Sequence, residues 1–140
     1  MFKQIASGYS GTPLLKKLGI TATTRVALIE APRNYFDLLG ADISSQLSGL
    51  RERPDLVHLF ASSKAVFHSA MKEIQGSAQS NPRIIIWVSW YKKSSGQQTD
   101  LSEDLIRSYA LQHGLVDIKV CAVDGLWSGL KLVVPKSKRP

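Results

Sequence analysis

A single cysteine, Cys121, rules out any intrachain disulfide. Three histidines, none spaced with another histidine, a cysteine or a carboxylate as zinc ligands are, leave no metal set to read. No apolar stretch approaches the roughly 20 residues a membrane helix requires; the longest lies around Ile84–Trp90. Met1–Ile5 lacks the apolar core of a secretory leader, so the chain reads as cytoplasmic. Catalytic signatures are missing too. There is no G-x-S-x-G elbow for a hydrolase nucleophile and no G-x-x-x-x-G-K-[ST] phosphate loop.

What remains is the composition of an ordinary folded domain, 44% hydrophobic and 21% charged over 140 residues. That length suits one core. We expect a single domain over residues 1–134 and a basic, flexible tail over 135–140. The net charge is +7. Lys136, Lys138 and Arg139 supply three of those charges, so the body is only mildly basic. Such a balance suits an anionic ligand or nucleic acid without demanding either.

Apolar runs and turn residues alternate along the chain. Thr12 and Pro13 open a short helix through Leu14, Leu15 and Leu18, which Gly19 ends. Arg25–Ile29 reads as a buried strand, followed by a short helix through Tyr35–Leu39 that stops at Gly40. Ile43 and Leu47 suggest a weak edge strand. Asp55–Phe60 is a second buried strand, and Ser62 or Ser63 caps a helix that runs to Gly76. Arg83–Trp90 is apolar on both faces, as a central strand should be. Asp100 with Glu103 resembles a capping box opening a helix whose buried face holds Leu101, Leu105, Ile106, Tyr109 and Ala110. Ile118–Val123 and Leu130–Val134, joined through Asp124 and Gly125, favour an antiparallel hairpin.

Strands alternating with helices imply a mostly parallel sheet. The fold class expected is therefore α/β: a small Rossmann-like sheet of shortened methyltransferase-type topology, closed by a terminal antiparallel hairpin. In such sheets ligands bind beyond the carboxyl ends of the parallel strands. After the first strand stands Glu30-Ala31-Pro32-Arg33-Asn34. It lacks the glycine-rich turn with which NAD, FAD and S-adenosylmethionine sites bring backbone against the ligand. No standard cofactor is evident.

The loop after the central strand is richer. Trp90 and Tyr91 offer planar surfaces, while Lys92, Lys93, Ser94, Ser95 and Gly96 offer charge and flexible donors ahead of a helix start. With Arg33 these form the candidate ligand-binding set. The competing reading is a solvated loop whose aromatics close the end of the sheet. Gly8–Gly11 with Lys16 and Lys17 faintly suggests a phosphate turn, but a capped helix packing under the sheet is the favoured reading. The neighbours of Cys121 suggest burial, and Trp127 reads as folding back over the hairpin.

Three blocks carry a family likeness: Gly8–Gly19, Lys92–Leu101, and Gly114–Asp124 with Trp127–Leu130. Together with the strands between them they resemble a small bacterial family of Rossmann-like domains with no assigned activity. The resemblance covers Gly8 to Val134 and implies a bacterial, cytoplasmic protein. The function expected is a small binding domain for an anionic or nucleotide-like ligand. A protein- or nucleic-acid-interaction module and a methyltransferase relative with an atypical cofactor site are the alternatives.

Overall fold

The computed structural model describes residues 12–139. The Gly8–Gly11 turn lies outside them. A five-stranded sheet has the order β1-β2-β3-β5-β4. Strands β1 (Val26–Ile29), β2 (Leu56–Phe60) and β3 (Ile85–Tyr91) are parallel. β5 (Trp127–Val133) enters antiparallel beside β3, and β4 (Val116–Ala122) pairs antiparallel on its outer side. This is the expected Rossmann-like sheet with its terminal hairpin. β3 lies at its centre, which accounts for a strand apolar on both faces.

Helices cover both faces because alternate strand residues point to opposite sides. α3 (Lys64–Ser80) and α4 (Glu103–Gln112) pack on Val57, Leu59, Ile86, Val88, Leu130 and Leu132. α1 (Leu14–Leu18) and α2 (Tyr35–Leu39) pack on Leu56, Phe60, Trp87 and Trp127. Gly19, Gly40 and Gly114 take the left-handed conformation where their helices end, as expected.

Several local expectations are corrected by long-range contacts. The N-cap of α1 is Pro13 rather than Thr12, its carbonyl accepting from the Lys16 and Lys17 N–H groups at 3.1 Å. α3 runs through Gly76 to Ser80. A glycine costs a helix about 1 kcal/mol, and here the following turn is anchored by the Ser77 hydroxyl donating to the Leu50 carbonyl at 2.9 Å. Residues 43–53 form two 3₁₀ turns, Ser44–Gln46 and Leu50–Glu52, instead of an edge strand. Only Leu47 bridges to Val26, while Ile43 is buried against α1 and α2.

At α4 the cap is Ser102, whose hydroxyl accepts from the Leu105 N–H at 3.2 Å. Asp100 instead accepts from the Lys64 N–H at 2.8 Å, at the start of α3. Ile106 and Ala110 turn inward and leave Leu105 exposed; Leu101 enters the core just ahead of the helix. Within the basic segment 135–140, Lys136–Lys138 form a 3₁₀ turn, and the Arg139 guanidinium donates to the Val134 carbonyl at 3.0 Å.

Candidate functional site

The parallel strands deliver their carboxyl ends to one edge of the sheet, and an open cleft of about 1160 Å³ lies there. Trp90, Tyr91, Lys92 and Lys93 line it, so four of the expected ligand residues come together. Ser94, Ser95 and Gly96 do not line the cleft. They shape its loop instead: the Ser95 hydroxyl donates to the Lys92 carbonyl at 2.6 Å and accepts from the Gln97 N–H at 3.2 Å, and Gly96 supplies the left-handed residue. Arg33 is exposed on the β1–α2 connection and is not among the lining residues. Lining residues without an expected ligand role include Ser62, Ser63, Gln97, Gln98 and Ser128. The rule that ligands meet strand carboxyl ends would have flagged Ser62 and Ser63, which follow β2 directly.

Two helices begin at this cleft, and their positive ends are differently occupied. At α3, the Asp100 carboxylate takes the Lys64 N–H and the Ser63 hydroxyl takes the Val66 N–H. An anion of the protein's own therefore already sits there. At α4, Glu103 and Asp104 would repel a ligand anion, but Arg107 pairs with both and with Asp117 on β4. Lys92 and Lys93 take part in no ion pair among the described residues. The cleft thus presents two ammonium groups without ion-pair partners beside an acidic cluster, Glu103, Asp104 and Asp117, that shares the single positive charge of Arg107.

The aromatics are less available than composition suggested. Trp90 is almost fully buried against the α3–α4 side. Tyr91 stacks on Trp127, centroids 4.3 Å apart, and Trp127 meets Phe60 edge-on at 5.1 Å. Trp127 therefore folds back into the core, as expected. One face of Tyr91 is committed to that stack.

Beneath the same sheet edge, on the α1–α2 side, runs a buried polar chain that sequence reasoning missed. The Tyr35 hydroxyl lies 2.8 Å from His58 Nδ1, and His58 Nε2 lies 2.8 Å from the Ser89 hydroxyl. All three side chains are buried. His58 also stacks on Phe60 at 4.3 Å. Burial holds the imidazole neutral, with its pKa pushed down to about 3, and pushes the Tyr35 phenol far up. Nothing local marks these residues, since β2, β3 and the α2 start meet only in the folded sheet. Cys121, expected to be buried, is half-buried on edge strand β4, and Val120 beside it is largely exposed. Burial raises the Cys121 thiol pKa, and Lys17, Lys119 and Lys92 act in the opposite direction.

No family model and no curated protein matches this sequence. Solved structures do share the fold. A Streptococcus agalactiae protein of the NADB-Rossmann superfamily aligns with TM-score 0.58 at 8% identity, over 96% of this chain and 70% of that one. An uncharacterized Listeria monocytogenes protein aligns with TM-score 0.56 at 10% identity, over 89% and 68%. A proposed tRNA (m1A22) methyltransferase of Streptococcus pneumoniae aligns with TM-score 0.55 at 6% identity, over 92% and 72%. At these identities the likeness is one of fold: Rossmann-like, of the methyltransferase type. No helix among the described residues is long and apolar enough to cross a membrane.

Proposed function

We propose that this domain binds a small anionic, nucleotide-like ligand in the cleft at the carboxyl ends of β2 and β3. The observation that carries the reading is the pair Lys92 and Lys93, without ion-pair partners among the described residues, in an open cleft where Asp100 caps α3 and Glu103 and Asp104 bond to Arg107. Ligand sites of this fold class lie at that edge. The polar wall from Gln97 to Ser102 supplies donors and acceptors for sugar and base.

Thermal-shift and calorimetric titration with ATP, NAD, S-adenosylmethionine and sugar phosphates tests it. At least one is expected to raise the melting temperature, since a ligand at 100 times its Kd adds about 2.7 kcal/mol. Lys92→Ala with Lys93→Ala should weaken that ligand about tenfold or more, because a hydrogen bond to a charged group contributes about 1.5–3 kcal/mol. No stabilisation by any of the four, or undiminished binding by the double variant, would refute the reading.

A second reading is a methyltransferase relative with an atypical cofactor site. It is favoured by the antiparallel β5 inserted between β3 and β4, the arrangement of that fold type. The β1–α2 turn carries proline instead of glycines, and Glu30 there adopts φ of 57°. A cofactor would then approach through the β3 loop and not across that turn. Selective binding of S-adenosylmethionine over ATP and NAD supports this version; ATP or NAD binding alone removes it.

A further inference from the structure

We propose that the face of the β4–β5 hairpin on the α1 side binds the phosphodiester backbone of a nucleic acid. Lys119 and Lys131 stand directly opposite each other in the β4–β5 register. Like charges in that relation destabilise a sheet. Neither forms an ion pair among the described residues; the three ion pairs present all belong to Arg107. Lys131 is partly buried, and burial together with Lys119 lowers its pKa. Two steps along the same face, Cys121 lies opposite Gly129, and its thiol feels Lys17, Lys119 and Lys92. The Lys17 ammonium is placed there by the Ala122 carbonyl at 3.5 Å. Lys17, Lys119 and Lys131 thus gather on one face, with Lys92 at the sheet end beside it and no carboxylate shown pairing Lys92, Lys119 or Lys131.

The lysines flank a packed middle: a Cβ at Gly129 would lie 3.3 Å from the Trp87 ring and 3.5 Å from the Cys121 thiol, so side chains already fill the space above that buried glycine. Tyr91 pairs with Trp127, which places Lys92 at one end of β5 and Lys131 four residues along it. At about 3.4 Å per residue that is about 14 Å. A strip of that length can meet more than one phosphate of an extended strand. Lysine presents a compact point charge that suits phosphate. Lys92 borders both this strip and the cleft, and the choice of nucleic acid over an acidic polypeptide rests on the nucleotide-like reading of that cleft.

Fluorescence anisotropy with labelled 20-nucleotide single strands of RNA and of DNA, across a salt series, tests the strip. Wild-type protein is expected to bind one or both with affinity falling steeply as salt rises. Lys119→Gln with Lys131→Gln should flatten the log–log salt slope by about 1.5, the share of two phosphate contacts. That variant should melt no lower than wild type, since a like-charge pair is removed. It should also keep the small-ligand titration of the cleft unchanged, which separates failure of the strip from failure of the cleft. Neutralising Lys136, Lys138 and Arg139 instead measures the tail. The proposal is overturned if the strip variant keeps the wild-type slope, if all salt dependence resides in the tail, or if polyglutamate competes as well as nucleic acid.

Discussion

Replacing His58 by leucine is expected to lower the unfolding free energy at pH 7 by about 2–5 kcal/mol. The imidazole is the shared partner of two buried hydroxyls, those of Tyr35 and Ser89, each 2.8 Å away. Removing it strands both, and an unsatisfied buried polar group costs about 1–3 kcal/mol. Adding Tyr35→Phe and Ser89→Ala to the same chain should recover much of the loss, because no orphaned group then remains. Guanidinium denaturation of the single and triple variants measures both; a single-variant cost below about 1 kcal/mol would mean the chain is not a cooperative network.

The same histidine makes the wild type sensitive to acid. Its folded pKa of about 3 lies below the ordinary imidazole value of 6.5, which holds in the unfolded chain. The unfolded state therefore binds the extra proton between those values, so the stability contributed by neutral His58 is complete above pH 6.5 and declines as pH falls toward 3. The limiting slope is about 1.4 kcal/mol per pH unit. About 3 kcal/mol should be lost between pH 6.5 and 4 on this account. His58→Leu lacks that loss, so the gap between wild type and variant should narrow by a similar amount at pH 4. A gap that stays constant with pH contradicts a buried neutral imidazole.

Trp87→Ala is expected to cost about 3–5 kcal/mol, the range for emptying a large aromatic site, out of a total of about 5–15 for a domain. Trp87 is fully buried on the central strand, and its indole N–H donates to the Leu18 carbonyl at 3.0 Å, tying β3 to the end of α1. A methyl added at Gly129 would sit 3.3 Å from its ring, so the indole is packed from the β5 side as well. Hydrogen exchange gives the sharper readout. α1, only five residues long, should lose protection in Trp87→Ala far beyond α3. Uniform loss of protection across both helices would show that Trp87 supports the core without docking α1 in particular.

How far the sequence could be read depended on which contacts were local. Strand cores such as Leu56–Phe60 and Ile85–Tyr91 declared themselves because burial on both faces demands an unbroken apolar run. Helix ends at Gly19, Gly40 and Gly114 were equally plain, since a left-handed residue is a local requirement. Asp100 misled because a carboxylate near one helix start can serve another. Thr99 and Asp100 reach across to Ser62 and Lys64, binding the cleft loop to α3. Leu105 misled for a related reason: α4 is rotated by what Leu101 and Ile106 find in the core. In the cleft, Trp90, Tyr91, Lys92 and Lys93 were legible because a single loop carries them, whereas Ser128 comes from β5, which only strand register brings beside β3.

By itself the sequence determined the fold class, the central strand, the hairpin and the absence of a glycine-rich turn after β1. Each follows from periodicity or from residues adjacent in the chain. Tertiary structure alone decided that Glu103 and Asp104 are held by Arg107, that Tyr35, His58 and Ser89 form one buried chain, and that Lys119 faces Lys131. Those groups are brought together by strand register and helix docking, and their charge and protonation depend on neighbours at distances no local pattern encodes.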